Sequence, residues 1–277
     1  MPGILYLVAT PIGNLKDISI RAVDVLSAVD LIACEDTRHT GKLLREFSIE
    51  TPLLSYHEHN EEERAEEIAG LIRKGKNVAI VSDAGSPAIA DPGYRAVKAA
   101  VDAGASVVPV PGASAVIAGL SVSGLPTDTV LFLGFLPARK GERLRKLREY
   151  SEVPATIVFY EAPHRILASL SDCIEILGDR RASVSRELTK LHEETVRGRL
   201  SEIQASFSSA DPKGEFVVVI DRKTPTSVQN LDEADLAELF DELVEQGVDP
   251  KKALKQIAKR AGIPRDEAYR RIHLFGK

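Results

Sequence analysis

Several features are scarce or absent in this sequence, and cysteine is the first of them. The chain has only two, Cys34 and Cys173, and no tryptophan. Two distant cysteines build neither a disulfide framework nor a metal site of the usual spacing. We interpret both as reduced, buried thiols in a cytoplasmic protein. The N-terminus has no basic segment, and its apolar run is too short for a signal peptide.

Long hydrophobic segments are also missing. Residues 105–127 contain no charged side chain, but three prolines, three glycines and four serines interrupt their apolar character. A membrane-spanning helix needs about 20 predominantly apolar residues. We therefore expect no membrane association, and we predict a strand over 106–110 followed by a buried helix over 113–123.

Phosphate-binding and metal-binding signatures are absent too. The turn after the first predicted strand, ATPIGNLKD, has neither the spacing of a dinucleotide fingerprint nor that of a P-loop. No H-E-x-x-H, C-x-x-C or nucleophile elbow occurs. We therefore expect no metal. The net charge of −5 excludes a general polyanion binder, so a nucleic-acid partner would need a local basic face.

Alternating strands and helices are what the chain does have. This alternation predicts an α/β fold with a mostly parallel sheet in an N-terminal domain, residues 1–124. The predicted strands are 4–9, 31–35, 52–56, 77–82 and 106–110, and the predicted helices are 19–28, 37–47, 61–74, 92–103 and 113–123.

Longer strands follow, and they predict a second α/β domain with a mixed sheet, residues 125–222. The strands are 129–137, 155–163, 182–188, 193–200 and 214–221, with a basic helix from 139 to 151. Residues 229–277 form a small helical unit that resembles a helix-turn-helix. In it, Asp249 caps a helix that Pro250 begins and Gly262 ends.

Five polar turns should share one edge of the first sheet, because ligands of open α/β sheets bind at the carboxyl ends of the strands. One of them, VSDAGSPAIADPG, places Asp83 and Asp91 on either side of a Gly-Ser-Pro turn. A carboxylate there could bind ribose hydroxyls or cap a helix. The turns are TPIGN, CEDTRHT, YHEHNEEE, SDAGSPAIADPG and PGASA.

An ordered set of motifs resembles the tetrapyrrole methylases and, more closely, the ribosomal RNA small-subunit methyltransferase I family of cytidine 2′-O-methyltransferases. The set includes LYLVATPIGNLKD, EDTRHTGKLL, VSDAGSPAIADPG, VPGASAVIAGL, FLGFLP, FYEAPHRI, RELTKLHEE and GEFVVVI. The resemblance implies two α/β domains with S-adenosylmethionine in the cleft between them, a small C-terminal helical unit and a homodimer. It also implies methylation of a cytidine ribose in the decoding region of 16S ribosomal RNA.

Carried over position by position, the resemblance implies a cofactor site made from both domains. The first domain would contribute Pro11, Asp83, Ala84, Gly85, Ser86, Pro87, Ser114 and Ala115. The second would contribute Leu136, Tyr160, Glu161, Ala162, Leu188, Gly214 and Glu215.

A general base for the ribose hydroxyl is not assigned by the sequence. Candidates in the turns are Glu35, Asp36 and His39, with Arg38 as a phosphate ligand or ion-pair partner. His57, Glu58, Lys190 and His192 are further candidates. For Asp36 the alternative is helix capping.

Local basic patches suit an RNA substrate, since phosphate contacts dominate RNA affinity. Residues 139–148 carry six Lys or Arg against one Glu. The predicted RNA contacts are Arg139, Lys140, Arg143, Arg145, Lys146, Lys190, Lys259 and Arg260. A small-molecule methyltransferase of the tetrapyrrole kind remains an alternative, as does a nucleic-acid-binding regulator without enzymatic activity.

Overall fold

The computed structural model describes residues 2–208, 214–223, 233–261 and 263–274. The chain divides into two compact units, one ending at Arg222 and one beginning at Lys223. The first unit contains two five-stranded sheets, and the second contains helices. The α/β fold class predicted from the sequence is confirmed, while the boundaries predicted at 124 and 222 stay predictions.

The first sheet is entirely parallel and has the strand order β3-β2-β4-β1-β5. All five carboxyl ends therefore lie at one edge, as the sequence predicts. We refer to residues 2–114 as the first lobe. Its strands are β1 (Ile4–Val8), β2 (Leu31–Cys34), β3 (Leu53–Ser55), β4 (Val78–Val81) and β5 (Ser106–Val110).

Helices cover both faces of this sheet, because alternate strand residues face opposite ways. Ile32 packs with α1 and α2 on one face, whereas Ala33 packs with α3 and α4 on the other. Ser19 and Asp36 cap the first two helices with side-chain oxygens. The helices are α1 (Ile20–Ala28), α2 (Thr37–Glu46), α3 (Glu61–Arg73) and α4 (Tyr94–Asp102).

The second sheet is mixed and has the order β6-β7-β10-β8-β9. Only β6 and β7 pair in parallel; the other neighbours are antiparallel. We refer to residues 125–222 as the second lobe. Its strands are β6 (Val130–Phe135), β7 (Thr156–Glu161), β8 (Arg181–Arg186), β9 (Glu194–Arg199) and β10 (Phe216–Ile220), and its helices are α6 (Lys140–Tyr150), α7 (Ile166–Leu177) and α8 (Leu200–Ser208). The sequence analysis assigns neither α7 nor α8.

Helix α5 (Ala115–Ser123) connects the two lobes and packs on the second sheet. At Gly119 a Cβ atom would lie 2.6 Å from Val217 Cγ1, so only glycine permits this approach. At the other end of the lobe, Arg222 forms a bidentate ion pair with Asp128, at 2.8 and 2.9 Å.

The C-terminal unit has its own core, formed by Leu236, Ile257, Ala268 and their neighbours. Asp249 accepts a hydrogen bond from the Lys251 amide at the start of the second helix, as predicted. Gly262 lies outside the described residues. The helices are α9 (Glu233–Glu245), α10 (Pro250–Ala261) and α11 (Arg265–Leu274). Within the described part of the chain, no helix is both long and apolar enough to cross a membrane.

Candidate functional site

A cavity of about 260 Å³ lies between the lobes, where the carboxyl edge of the first sheet meets the second sheet. Its volume is close to the lower end of the range of about 300–1,000 Å³ typical of ligand pockets. Nine of the predicted cofactor residues line it: Asp83, Ala84, Gly85, Ser86, Ser114, Ala115, Tyr160, Leu188 and Glu215.

Backbone hydrogen bonds fix the floor of this cavity. Gly85 and Thr10 exchange two bonds, at 2.9 and 3.1 Å, which joins the turn after β4 to the turn after β1. The Thr10 hydroxyl also donates to the Ser82 carbonyl, at 3.1 Å. Gly85 has φ +83°, which favours glycine at this position.

Asp83 connects two of the loops that carry acidic side chains. Its Oδ1 accepts a hydrogen bond from the Asp36 amide at 3.2 Å, which fixes the start of the turn after β2. This turn brings Glu35 to the cavity wall. Burial and the nearby Asp83 raise the pKa of Glu35.

The opposite wall is aromatic and comes from the second lobe. Tyr160 packs against Phe132 and Phe135, with ring centroids 5.1 and 5.5 Å apart. Its hydroxyl accepts a hydrogen bond from the Val116 amide at 3.2 Å, close to the start of α5. This bond links the wall to the helix that joins the lobes.

The charge on the cavity walls is strongly negative. Five carboxylates line it, and Lys190 is the one cation among the lining residues that the structure describes. Lys190 is paired with Glu187 at 2.8 Å. Glu35, Asp83, Asp91 and Glu215 thus remain without a cationic partner in the cavity. Such walls favour a cationic ligand and disfavour a phosphate.

Asp91 is the most perturbed of these carboxylates. Burial raises its pKa to about 6, with smaller contributions from the negative charges of Glu35, Asp83 and Glu215. From the sequence, Asp91 is predicted only as a possible ribose ligand or helix cap, and it is not among the residues that the resemblance implies for the cofactor.

Six of the residues implied to hold the cofactor do not line the cavity: Pro11, Pro87, Leu136, Glu161, Ala162 and Gly214. Leu136 is 1% exposed and belongs to the core of the second lobe. Glu161 is fully buried, where it pairs with Arg165 at 3.1 Å and accepts from Ser169 and the Ala162 amide. Leu136 and Glu161 are thus buried next to the lining residues Phe135 and Tyr160.

Alternation along the chain explains two of these six cases, Leu136 and Glu161, because successive side chains of a strand point to opposite faces. Phe135 lines the cavity where Leu136 is buried, and Tyr160 lines it where Glu161 is buried. The lining residues that the sequence analysis leaves out are Ile12, Ile89, Phe135, Glu187, Phe216 and Val217.

Only Glu35 among the proposed catalytic residues of the turn after β2 lines the cavity. Asp36 caps α2 and pairs with Arg38 at 2.9 Å, which holds the pKa of Asp36 far below its usual range. This arrangement matches the alternative prediction for Asp36, in which it caps a helix and is not a catalytic base. Arg38 and His39 are exposed. His57 interacts with Asn60, and neither His57, Glu58 nor His192 lines the cavity.

The predicted RNA contacts differ in their exposure. Arg139, Lys140 and Arg145 are exposed on α6, whereas Lys146 donates to the Leu133 carbonyl at 3.0 Å. Arg143 has to be corrected: it is buried, with its guanidinium 2.6 Å from Asp172 and in contact with two backbone carbonyls. It is therefore not a surface contact. The side chains of Lys259 and Arg260 lie outside the described residues.

No cluster of three or more His, Cys, Asp or Glu side chains suitable for a metal ion occurs among the described residues. Cys34 and Cys173 are both buried and free. Burial raises the pKa of the Cys173 thiol above its usual range. Neither cysteine is positioned as a reactive group.

Comparison with known proteins gives consistent results. A family model described as Tetrapyrrole (Corrin/Porphyrin) Methylases matches residues 4–204. The protein named Ribosomal RNA small subunit methyltransferase I of Synechocystis sp. is 47% identical over 268 residues, 96% of each chain. The protein of the same name from Halalkalibacterium halodurans is 44% identical over 277 residues, 98% of this chain and 95% of its own.

A solved structure has the same fold at low sequence identity. It is uroporphyrin-III C-methyltransferase from Thermus thermophilus complexed with S-adenyl homocysteine. The two are 19% identical with a TM-score of 0.54, and the match covers 79% of this chain and 97% of that one.

Proposed function

Because this chain belongs to the tetrapyrrole (corrin/porphyrin) methylases, we propose that it transfers a methyl group from S-adenosylmethionine to ribosomal RNA. Within these methylases it belongs with the relatives named ribosomal RNA small subunit methyltransferase I, to which it is 44–47% identical over almost its full length. Those names make the small-subunit RNA the acceptor that we propose.

The charge of the cavity supports this cofactor. S-adenosylmethionine carries a sulfonium and an ammonium group but no phosphate, so it suits walls with four unpaired carboxylates. The adenine suits the aromatic side formed by Phe135 and Tyr160, and the amide groups at the start of α5 suit the cofactor carboxylate. This acid-rich cavity is the observation that carries the proposal.

When bound, S-adenosylmethionine supplies a methyl group on a positively charged sulfur, which is reactive towards an oxygen nucleophile. The protein supplies alignment and a cavity that excludes water. The turns of the first lobe hold the cofactor, and the aromatic wall limits its position. No metal takes part in this proposal.

The acceptor that we propose is the ribose 2′-hydroxyl of a cytidine in 16S ribosomal RNA, in the decoding region. A neutral hydroxyl can enter an acidic cavity, whereas RNA phosphates are repelled by it and must stay outside. Arg139, Lys140 and Arg145 are exposed on α6 and could contact those phosphates. A tetrapyrrole precursor, which is itself rich in carboxylates, suits these walls less well.

An acceptor assay tests the proposal. Purified protein receives labelled S-adenosylmethionine with naked 16S RNA, assembled small subunits or a tetrapyrrole precursor. We expect label in one of the RNA samples, at a single cytidine that resists alkaline cleavage, because a 2′-O-methyl group blocks that reaction. Label on a base or on the tetrapyrrole would refute the proposed acceptor.

We also propose a cytoplasmic homodimer. Ile117, Val122 and Val130 are exposed apolar residues on α5 and β6, beside a second, apolar cavity. A second copy of the chain could cover this surface. Light scattering should give the mass of a dimer, and Ile117→Glu should shift it towards the monomer, whereas Ile20→Glu, at an exposed residue of α1, should not.

A further inference from the structure

We propose that Asp91 is the general base that accepts the proton of the acceptor hydroxyl. This inference rests on the proposed function, for which no base has been assigned above. It concerns a side chain that the sequence analysis noticed only as a possible ribose ligand or helix cap.

Asp91 lies in the cavity and has no hydrogen bond or ion pair with any of the residues that the structure describes. It is half-buried, and its carboxylate belongs to the cavity wall. The other carboxylates differ: Asp83 accepts from the Asp36 amide, Glu187 pairs with Lys190, and Glu35 and Glu215 are exposed. Asp91 is thus both sheltered from water and available to a ligand.

The loop that carries Asp91 has an unusual and well-anchored backbone. Ala88 and Ala90 have φ of 66° and 63°, values that non-glycine residues rarely adopt. The Ala88 amide donates to the Pro92 carbonyl at 3.2 Å, across Asp91. At Gly93 a Cβ atom would lie 2.8 Å from the Ala88 Cβ, so the loop is tightly closed on itself.

A carboxylate outside the cavity fastens this loop to the first lobe. Glu61, at the start of α3, accepts a hydrogen bond from the Gly93 amide at 3.0 Å and another from the buried Tyr56 hydroxyl at 2.9 Å. The strained backbone is therefore held by the Ala88–Pro92 hydrogen bond within the loop and by Glu61 outside it. Such strain persists where the surrounding structure determines it, which is common at functional sites.

The titratable groups that face Asp91 lie on the turn after β2, at the start of the turn that carries Asp91 itself, just before β10 and on β7. Glu35, Asp83 and Glu215 are negative, and Tyr160 is neutral at physiological pH. The Lys190 ammonium in the same cavity is paired with Glu187. Burial and these like charges raise the pKa of Asp91 to about 6, so it is ionised at neutral pH but more basic than an ordinary aspartate.

The 2′-oxygen forms a bond to the methyl carbon while the carbon–sulfur bond breaks, and its electron pair stays on the sulfur. The hydroxyl proton moves to the Asp91 carboxylate and later to water. The products are a 2′-O-methyl ribose, a neutral thioether and one proton.

Steady-state and single-turnover kinetics of the full chain from pH 5 to 8.5 test this assignment. For the wild type we expect kcat/KM to rise with pH up to about 6 and then to level off, because the base must be ionised. The bound cofactor is cationic and lowers the pKa of a neighbouring carboxyl, so the rise in kcat should lie at lower pH.

Asp91→Asn should reduce the single-turnover rate by about 10²–10⁴-fold and abolish the acid limb of the profile. Its affinity for S-adenosylmethionine, measured by calorimetry, should fall only by the factor by which the bound cofactor shifts the ionisation of Asp91, about tenfold for each pKa unit. Asp91→Glu should recover part of the rate together with the pH dependence. Asp102→Asn, the same substitution at an exposed residue of α4, is the matched control and should behave like the wild type.

Three results would overturn the inference. Asp91→Asn with a wild-type rate excludes a base, and Asp91→Asn without cofactor binding makes Asp91 a cofactor ligand instead. A wild type that methylates no RNA overturns the proposed function and this inference together, whereas the first two results leave the proposed function intact.

Discussion

The two lobes use their acidic side chains differently, although Glu215 of the second lobe also faces the cavity. In the first lobe, Glu35, Asp83 and Asp91 face the cavity without cationic partners. In the second lobe, Asp172 and Glu161 are buried and paired with arginines, at 2.6 and 3.1 Å. The first arrangement leaves negative charge available to a ligand, and the second uses charge to hold the scaffold together.

This difference has a physical origin in the two sheets. The parallel sheet sends five turns to one edge, where polar side chains remain near water and can bind a ligand. The mixed sheet brings its side chains to the cavity mainly from the strand ends and from neighbouring loops, and it supplies the aromatic wall. Its buried carboxylates, Glu161 and Asp172, do not line the cavity, and at such buried positions an unpaired charge is strongly unfavourable.

The largest effect is expected where the buried pair of the second lobe is broken. Arg143→Ala should lower the free energy of unfolding by about 3–5 kcal/mol, because it leaves Asp172 buried without a partner. Urea unfolding measures this. Arg145→Ala, on the exposed side of the same helix, should change it by less than about 0.5 kcal/mol. Equal losses in the two variants would contradict the contrast between the lobes.

The next effect concerns ligand affinity rather than stability. Asp83→Ala should weaken S-adenosylmethionine binding by about 1.5–3 kcal/mol, since it removes a charge and the acceptor of the Asp36 amide. Calorimetry gives the affinity, and thermal unfolding should show little change. Asp83→Asn keeps an acceptor oxygen and should lose less. Normal binding by Asp83→Ala would show that the acidic wall does not hold the cofactor.

A smaller effect is expected at the contact that joins the aromatic wall to α5. Tyr160→Phe removes the acceptor of the Val116 amide and should lower the free energy of unfolding by about 0.5–1.5 kcal/mol. The ring packing against Phe132 and Phe135 is retained, so the change isolates the hydroxyl. A loss greater than that of Arg143→Ala would contradict the expectation that breaking the buried ion pair destabilises the protein more than removing this hydroxyl does.

The smallest effect is a gain in stability. The folded-state pKa of Asp91 is raised, so its ionisation opposes folding, and stability is lost as pH rises from about 4 to about 6. Because Asp91 is half-exposed, solvent screening leaves only a fraction of this loss; Asp91→Asn avoids it and should raise Tm by roughly 2 °C at pH 7. The gain should vanish below pH 4. A gain that does not depend on pH would point to a cause other than the carboxylate.

The first lobe could be predicted closely from the sequence. Short apolar runs separated by polar turns predict its five strands to within a residue or two at each end. The parallel direction of the strands follows from their alternation with helices. Nine cofactor residues implied by the resemblance line one cavity. Their roles stay predictions, because lining a cavity does not itself demonstrate binding.

The second lobe could be predicted less well. Ile166, Leu170, Cys173 and Leu177 have the spacing of a buried helical face, a signal for α7 that the sequence analysis did not use. The strands that carry the motifs FLGFLP and FYEAP are predicted to within two residues at each end. A resemblance, however, does not tell which residue of a strand faces the cavity. The burial of Arg143 could not be foreseen because its partner, Asp172, lies 29 positions away.

The Arg222–Asp128 ion pair has an evolutionary consequence. It fastens the last residue of the first unit to a point 94 positions earlier in the chain, just before β6. Because this ion pair holds the end of the unit in place, the chain can be cut after Arg222, or fused there to another segment, while β10 stays paired in its sheet. We therefore expect homologous chains to tolerate exchange or loss of whatever follows this arginine more readily than insertions anywhere in the preceding two hundred residues.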